Sequence, residues 1–420
     1  MRTLASMSSP SSSSRSGPPS SGLSSDTETR PEPHRWSAAD LAGPTLIFVG
    51  AFLLAVTIAL PTLLVGGFRT IPLSTDFTTV ATADDATIFD RCSLETRSAR
   101  AVDADLVRQQ RVVAVQPSDE HRVTLQAGTS IQAQALRIDG REVDPGDPRP
   151  GVDPGGSQAD DPAQPCNDAT VNAIKDRVTL DRKNALPRLA ARGASEIQYD
   201  SGQAAVLVPD RRGVTYLLPF DTEPADREFF DAVTRTTVPL VYDGDTEVHG
   251  RDVDRFRAEV PDTDLARAAL GRPVGTNVSI TRPASWFGVG DTSRPLTANL
   301  HHRSSWDLAV DPRTGTIVDA TITVDEVYRF PDGTPGVPAD FKLPHLRATF
   351  AYDEDTQTRM TDLASDLATP ILIWGRLVPI GTAVLGVVAL LAGLVLTNPA
   401  WLPARFRRRR GAETVDGQPE

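Results

Sequence analysis

Leu377-Val-Pro-Ile-Gly-Thr-Ala-Val-Leu-Gly-Val-Val-Ala-Leu-Leu-Ala-Gly-Leu-Val-Leu-Thr397 carries no formal charge. At about 1.5 Å per residue, about 21 such residues cross a hydrocarbon core of about 30 Å. The stretch 377–397 therefore reads as a transmembrane helix. Just ahead of it stand Trp374 and Arg376, residue types suited to a headgroup layer, whereas an arginine at the bilayer centre costs about 2.5–3.5 kcal/mol. Beyond it come Arg405, Arg407, Arg408, Arg409 and Arg410. Cationic flanks stay on the cytoplasmic side, so these arginines orient the helix and residues 398–420 are expected to form a basic tail inside the cell.

A second apolar run, 44–65, fixes the other end. It too is long enough to span, with Pro44 in the first turn and Pro61 near the far end. A cleaved signal peptide is the rival reading. Its apolar region would be about 7–15 residues with a small-x-small site close behind, and Ala81-Thr82-Ala83 lies well past this run. A retained anchor is the expectation. Residues 1–36, with Ser8-Ser-Pro-Ser-Ser-Ser-Ser14 and repeated prolines, are too polar to bury a core and read as a disordered tail. Arg2, Arg15, Arg30 and Arg35 place that tail in the cytoplasm. Two spans with both ends inside leave 69–352 outside the plasma membrane.

The formal net charge is −12 and resides in that exterior part. An acidic exterior argues against nucleic-acid binding, which needs a cationic face. The only two cysteines, Cys92 and Cys166, both fall there, and an isolated pair outside the membrane reads as a disulfide. The loop so closed is worth about 4–5 kcal/mol in the chain-entropy model before strain.

Short runs rich in β-branched residues follow the first span: 71–80, 111–115, 121–125 and the alternating Ile131-Gln-Ala-Gln-Ala135. From Asp139 to Cys166 the pattern gives way to Pro, Gly and Asp. Asp144, Asp147, Asp153, Asp160 and Asp161 are hard-cation ligand types, but their spacing fits no calcium loop and a solvated insert is the preferred reading. Strands resume at 176–184 and 306–318, each running through alternating apolar residues to an aspartate and a turn, with Asp311-Pro-Arg-Thr-Gly315 a hairpin signal. Pro331-Asp-Gly333 turns again. Residues 353–369 read as a connecting helix with Met360, Leu363 and Leu367 on one face, packed on the sheet and ended at Pro370. The expected fold is thus a mainly β exterior domain of curved antiparallel sheets with some helix, held between two transmembrane α-helices.

Between these strands the chain reads Gly213-x-Thr215-Tyr216-x-x-Pro219-Phe220, then Phe230-Asp231, Pro239-x-x-Tyr242-x-Gly244 and Val248-x-Gly250 leading to Phe256. In this order the motifs resemble the actinobacterial envelope proteins grouped as domain of unknown function 3068, also labelled the porin PorA family. The likeness takes in 176–181, the turn 311–315 and both apolar runs. The serine-rich leader and the insert before Cys166 have no counterpart in that pattern. The resemblance implies an envelope role, and members in mycolate-bearing lineages are associated with moving or maturing envelope glycolipids. A lipid or glycolipid ligand is the partner it implies, with a scaffold for envelope transport proteins, or an oligomeric porin-like channel, as alternatives. Two helical spans enclose no wide pore unless several copies assemble.

No enzyme signature is present. His301 and His302 form the only histidine cluster, and neighbours on a strand point to opposite faces. Gly-x-Ser-x-Gly, His-Glu-x-x-His and phosphate-cradling loops are absent. Neither a catalytic residue, a metal nor a cofactor is expected. The disulfide reading has a direct check: thiol labelling of unreduced, denatured protein should find no free cysteine, and two labelled thiols would refute it.

Overall fold

A computed structural model describes residues 38–145, 169–189, 194–199, 204–267, 278–290 and 292–398. They fall into two units. The smaller takes its described residues from 38–51 and 387–398, where two helical segments meet through small residues. A Cβ added at Gly393 would stand 2.7 Å from Ile47 Cγ1 and 2.8 Å from the Ile47 amide nitrogen, so only glycine permits this approach.

The larger unit, Phe52–Gly386, contains one antiparallel sheet. Its strands are β1 (Asp76–Phe89), β2 (Ala101–Val115), β3 (Arg122–Ile138), β4 (Arg141–Val143), β5 (Thr170–Asp181), β6 (Ser195–Gln198) and β7 (Val206–Leu207), then β8 (Arg227–Asp231), β9 (Thr236–Val248), β10 (Arg251–Asp264), β11 (Ser279–Pro283), β12 (Pro295–Val310), β13 (Ile317–Arg329) and β14 (Leu343–Tyr352). The spatial order is β7-β6-β5-β3-β2-β1-β14-β13-β12-β10-β9-β8, with β4 beside β3 and β11 beside β12. Each half of the chain meanders outward from the β1–β14 pair. The chain consequently enters and leaves the sheet at neighbouring strands.

The sheet curls until its two edges nearly meet. Arg108 on β2 and Trp306 on β12 are four strands apart, about 19 Å if the sheet were flat. The Arg108 guanidinium nevertheless lies 5.6 Å from the Trp306 ring centre. Nearer the edges, Ile174 of β5, Ile197 of β6 and Phe230 of β8 share one apolar cluster. Val208 donates its amide to Ser195, and Val214 forms a parallel bridge to Phe229, so residues 208–214 cross the seam from one edge to the other. Alternation does the rest: Val102, Ala104 and Leu106, or Ala320, Ile322 and Val324, point inward and are buried. Outside, cross-strand pairs such as Asp105–Arg137, Asp325–Arg347 and Asp307–Arg257 make a charged face, which does not suit contact with lipid tails. A cluster of Phe89, Trp286, Phe287, Phe330 and Phe341, edge-to-face except for the tilted Phe330–Phe341 pair, closes the end away from the helices.

The curved antiparallel sheet between apolar helices is the expected class, while several local details differ. Residues 71–75 lie outside β1, which starts at Asp76. A small hairpin, Asp139–Gly140 with both φ positive, pairs β4 to β3 where the apolar alternation of the sequence stops. Pro370 does not end the connecting helix. Glu354–Thr397 is continuous and passes Pro370 into a π-turn, Ile373–Leu377, whose wider spacing absorbs the backbone groups that proline leaves unpaired. The first helix has the same device at Pro61–Val65. Leu41–Phe68 and Glu354–Thr397 are both long and apolar enough to cross a membrane, and their apolar windows are only 6% and 11% buried, unlike a core helix.

Gly213 (φ +85°) and Gly250 (φ +76°) test which turns hold the sheet. At 213 a Cβ would overlap the Glu228 backbone at the seam, whereas Gly250 faces open space. Gly213→Ala should cost about 2–4 kcal/mol and Gly250→Ala about 1 kcal/mol. Denaturant midpoints of the two variants check this, and equal costs would show that the seam is not a close contact.

Candidate functional site

Arg211 stands at the centre of the seam. Its Nη1 donates to Asp176 Oδ1 of β5 at 2.7 Å and its Nη2 to Thr215 Oγ1 at 2.9 Å, while the guanidinium lies 4.2 Å from the Phe230 ring on β8. The Tyr216 hydroxyl donates to the other oxygen of Asp176. Arg211 and Asp176 are both 1% exposed. Burial opposes the guanidinium's charge, and Asp176 outweighs it and raises the Arg211 pKa. Burial and then Asp176 push the Tyr216 hydroxyl well above its ordinary value, so it remains a donor. The motif residues fall on this construction. Gly213 allows the close pass, Thr215 and Tyr216 supply its bonds, and Pro219 and Phe220 lead along the hairpin turn, where Leu218 donates to Gly315. Tyr242 packs edge-to-face on Phe256 at 5.7 Å. Gly244 and Gly250 take positive φ in and after β9, and Pro239 is exposed.

The enclosed interior is more polar than a plain core. Glu326 accepts from His302 Nδ1 and His345 Nδ1, each at 2.8 Å, and is 1% exposed. Burial works against its charge, but the two imidazole hydrogen bonds overcome this and hold the carboxyl at about 2. Burial likewise opposes protonation of His302, and Glu326 outweighs it and raises that pKa. Ser304 Oγ lies 3.2 Å from His302 Nε2 and accepts from Trp306 Nε1 at 3.3 Å. This network, together with Arg108, Gln110, Asn172, Tyr216, Asp231 and Trp306, lines a cavity of about 80 Å³.

Two more cavities lie where the helices join the sheet. One, about 120 Å³ and apolar, is bounded by Ile71, Phe77, Leu217, Phe220, Met360 and Leu367. The other, about 650 Å³, is bounded by Arg69, Arg251, Arg313 and Arg376, with Asp221 and Val65. Met360, Leu363 and Leu367 face the first, whereas Ser365, Thr369 and Arg376 face the second. At about 100° per residue these are opposite sides of one helix. Asp221 pairs with Arg69 at 3.0 Å, and Arg251 with Asp311 at 2.5 Å, leaving Arg313 and Arg376 without an ion pair among the described residues.

Cys92 is fully buried in the short turn Arg91–Glu95, which Trp286 Nε1 holds through the Ser93 carbonyl at 3.1 Å. Cys166, the aspartates 147, 153, 160 and 161, and Arg405, Arg407, Arg408, Arg409 and Arg410 lie outside the described residues. His301 and His302 do face opposite ways: His301 meets Asp262 outside at 3.3 Å, and His302 turns inward.

Arg108, Arg211 and Glu326 were not singled out from the sequence. Two of them had a legible signal, because a charged residue at an inward position of an alternating strand interrupts Leu106–Val112 and Val324–Tyr328.

A nearly closed antiparallel sheet flanked by two apolar helices defines the class of molecule. Its family description, Porin PorA, matches residues 42–395, and the chain belongs to that family of cell-envelope membrane proteins. Relatives bearing the same name include Porin PorA of Corynebacterium amycolatum, 24% identical over 403 residues (84% of this chain, 97% of the relative). Another is Porin PorA of Corynebacterium resistens, 23% identical over 419 residues (84% and 95%).

The Glu326 network sets a pH window. The lowered Glu326 contributes stability above its ordinary 4.5, lost as pH falls toward about 2; the raised His302 contributes below 6.5, lost as pH climbs through its folded value. Melting temperature should therefore peak between about 4.5 and 6.5. Glu326→Gln should flatten both flanks, and an unchanged profile would refute the assignment.

Proposed function

We propose that the chain is a porin-like protein of the envelope, anchored by both helices, whose polar path forms between several copies. The carrying observation is the 650 Å³ cavity with four arginines against one aspartate, at the level where the two helices leave their apolar runs. A conduit through one chain's own sheet is disfavoured, because Arg108, Trp306 and the Glu326 network occupy that interior. Low-dielectric walls lined with one sign of charge raise the local concentration of the opposite ion. The cavity would thus favour anions. In this reading 44–65 and 377–397 span the plasma membrane, both ends are cytoplasmic, the sheet domain is extracytoplasmic, and Cys92 pairs with Cys166.

A second reading, binding or carriage of an envelope lipid or glycolipid, is favoured by the apolar cavity between helix and sheet. At about 120 Å³ it takes a few methylenes, well below the several hundred Å³ of a typical ligand pocket. It would grip the end of a chain that otherwise lies in the bilayer. No catalytic role is proposed.

Planar-bilayer recordings on full-length protein separate the two. The porin reading expects discrete conductance with anion preference, and Arg313→Gln with Arg376→Gln should move the reversal potential toward neutrality. Absence of conductance at every protein-to-lipid ratio, together with lipid retained through purification and lost in Leu367→Gln, would replace it with the lipid reading.

A further inference from the structure

Arg108 is 6% exposed and makes no hydrogen bond or ion pair among the described residues. It occupies an inward position of β2, in line with Val102, Ala104 and Leu106, where packing alone would place another aliphatic side chain. A guanidinium does not shed its proton in a protein, so the site holds a cation. Burial does lower its pKa, with Tyr352, Tyr216 and Asp231 acting the other way.

Two buried carboxylates, Asp231 and Glu326, also line this cavity. Asp176 is taken by Arg211 and Tyr216, Glu326 by His302 and His345, and Asp231 accepts through Oδ2 from the amide and hydroxyl of Thr234. None of them forms an ion pair with Arg108. The guanidinium instead lies 5.6 Å from the Trp306 ring and borders the cavity of about 80 Å³. Gln110, whose amide gives one N–H to Thr129 Oγ1 at 2.9 Å and carries a second, lines the same cavity.

We propose that this cavity binds a small monovalent anion, a carboxylate or a halide, against Arg108. The fork of guanidinium donors matches a carboxylate in two parallel hydrogen bonds, and Gln110 and Asn172 offer further amide donors. At about 80 Å³ the cavity is well below the several hundred Å³ of a typical ligand pocket, which suits acetate, chloride or bromide better than a phosphate headgroup with its glycerol. This site is separate from the arginine-lined cavity at the helices, and it stands whether or not the chain conducts.

Thermal unfolding of the full-length protein in detergent tests it, at constant ionic strength, with sodium acetate, chloride or bromide replacing sodium gluconate, whose anion is too large. Acetate or a halide should raise the melting temperature and saturate, and calorimetric titration should give one site per chain. A response to acetate alone identifies a carboxylate site, and a response to the halides as well identifies a general small-anion site. Arg108→Met should abolish the response while melting no lower than the parent in gluconate, since an unpaired buried cation has been removed. Arg108→Lys, which keeps the charge and loses the fork, should weaken acetate about tenfold and serves if the methionine variant fails to fold. No anion dependence in the parent, or an unchanged response in the lysine or methionine variant, overturns the proposal.

Discussion

The salt bridge between Arg211 and Asp176 joins parts of the sheet that the strand order sets far apart. From β5 to β8 there are nine steps, about 43 Å along a flat sheet. Left open, the edge strands β7 and β8 would present unpaired amides and carbonyls to any neighbour. The chain instead spends residues 208–216 on crossing the gap, and one buried arginine reaches an aspartate on one side and an aromatic ring on the other. A pair so deeply buried gains little net stability over an apolar contact, and breaking it would strand a charge. It fixes where the crossing segment meets β5, since Arg211 and Tyr216 both reach Asp176.

Closure decides where function can reside. The curled sheet turns its apolar face inward and its Asp–Arg ladders outward, so the strands do not suit the interior of a bilayer. Pairing of β1 with β14 brings the chain in and out at one place, and the two π-turns there relieve helices that carry Pro61 and Pro370. Gly375 sits with its missing Cβ 3.3 Å from Val65, so the helices approach closely just where Arg69 and Arg376 flank a cavity. The apolar stripe of Met360, Leu363 and Leu367 keeps one helix face on the sheet and leaves the opposite face to that cavity. Thus the arginine-lined space follows from strand order and helix periodicity together.

Much of this was legible from residues. The alternation in 131–135 and 306–310, and the Asp311–Gly315 turn, required antiparallel strands with one buried face, and the sheet has them. Strand length was not legible, because β2 and β3 run on through polar residues whose outward side chains break the apolar pattern without breaking the backbone ladder. The continuity of Glu354–Thr397 was hidden by Pro370, since a local rule of helix termination cannot see the π-turn that absorbs it. The motif from Gly213 to Phe256 was recognisable as a pattern, but its meaning was not. Its key partner, Asp176, is far away in the chain, and only closure brings it to Tyr216.

The interior supplies the last step. A sheet selected for stability alone would carry aliphatic residues at positions 108, 302 and 326, which occupy the same inward rows as Leu106, Leu300 and Val324. It carries instead a cation, an imidazole and a carboxylate, and it satisfies the last two with short hydrogen bonds to each other and to His345. Within the same space the first has the Trp306 ring beside it but no hydrogen bond or ion pair among the described residues. Buried polar groups in native proteins are nearly always satisfied. That rule, applied to Arg108 and the adjoining cavity, makes the interior of the sheet a place for a small charged guest as well as a packed core.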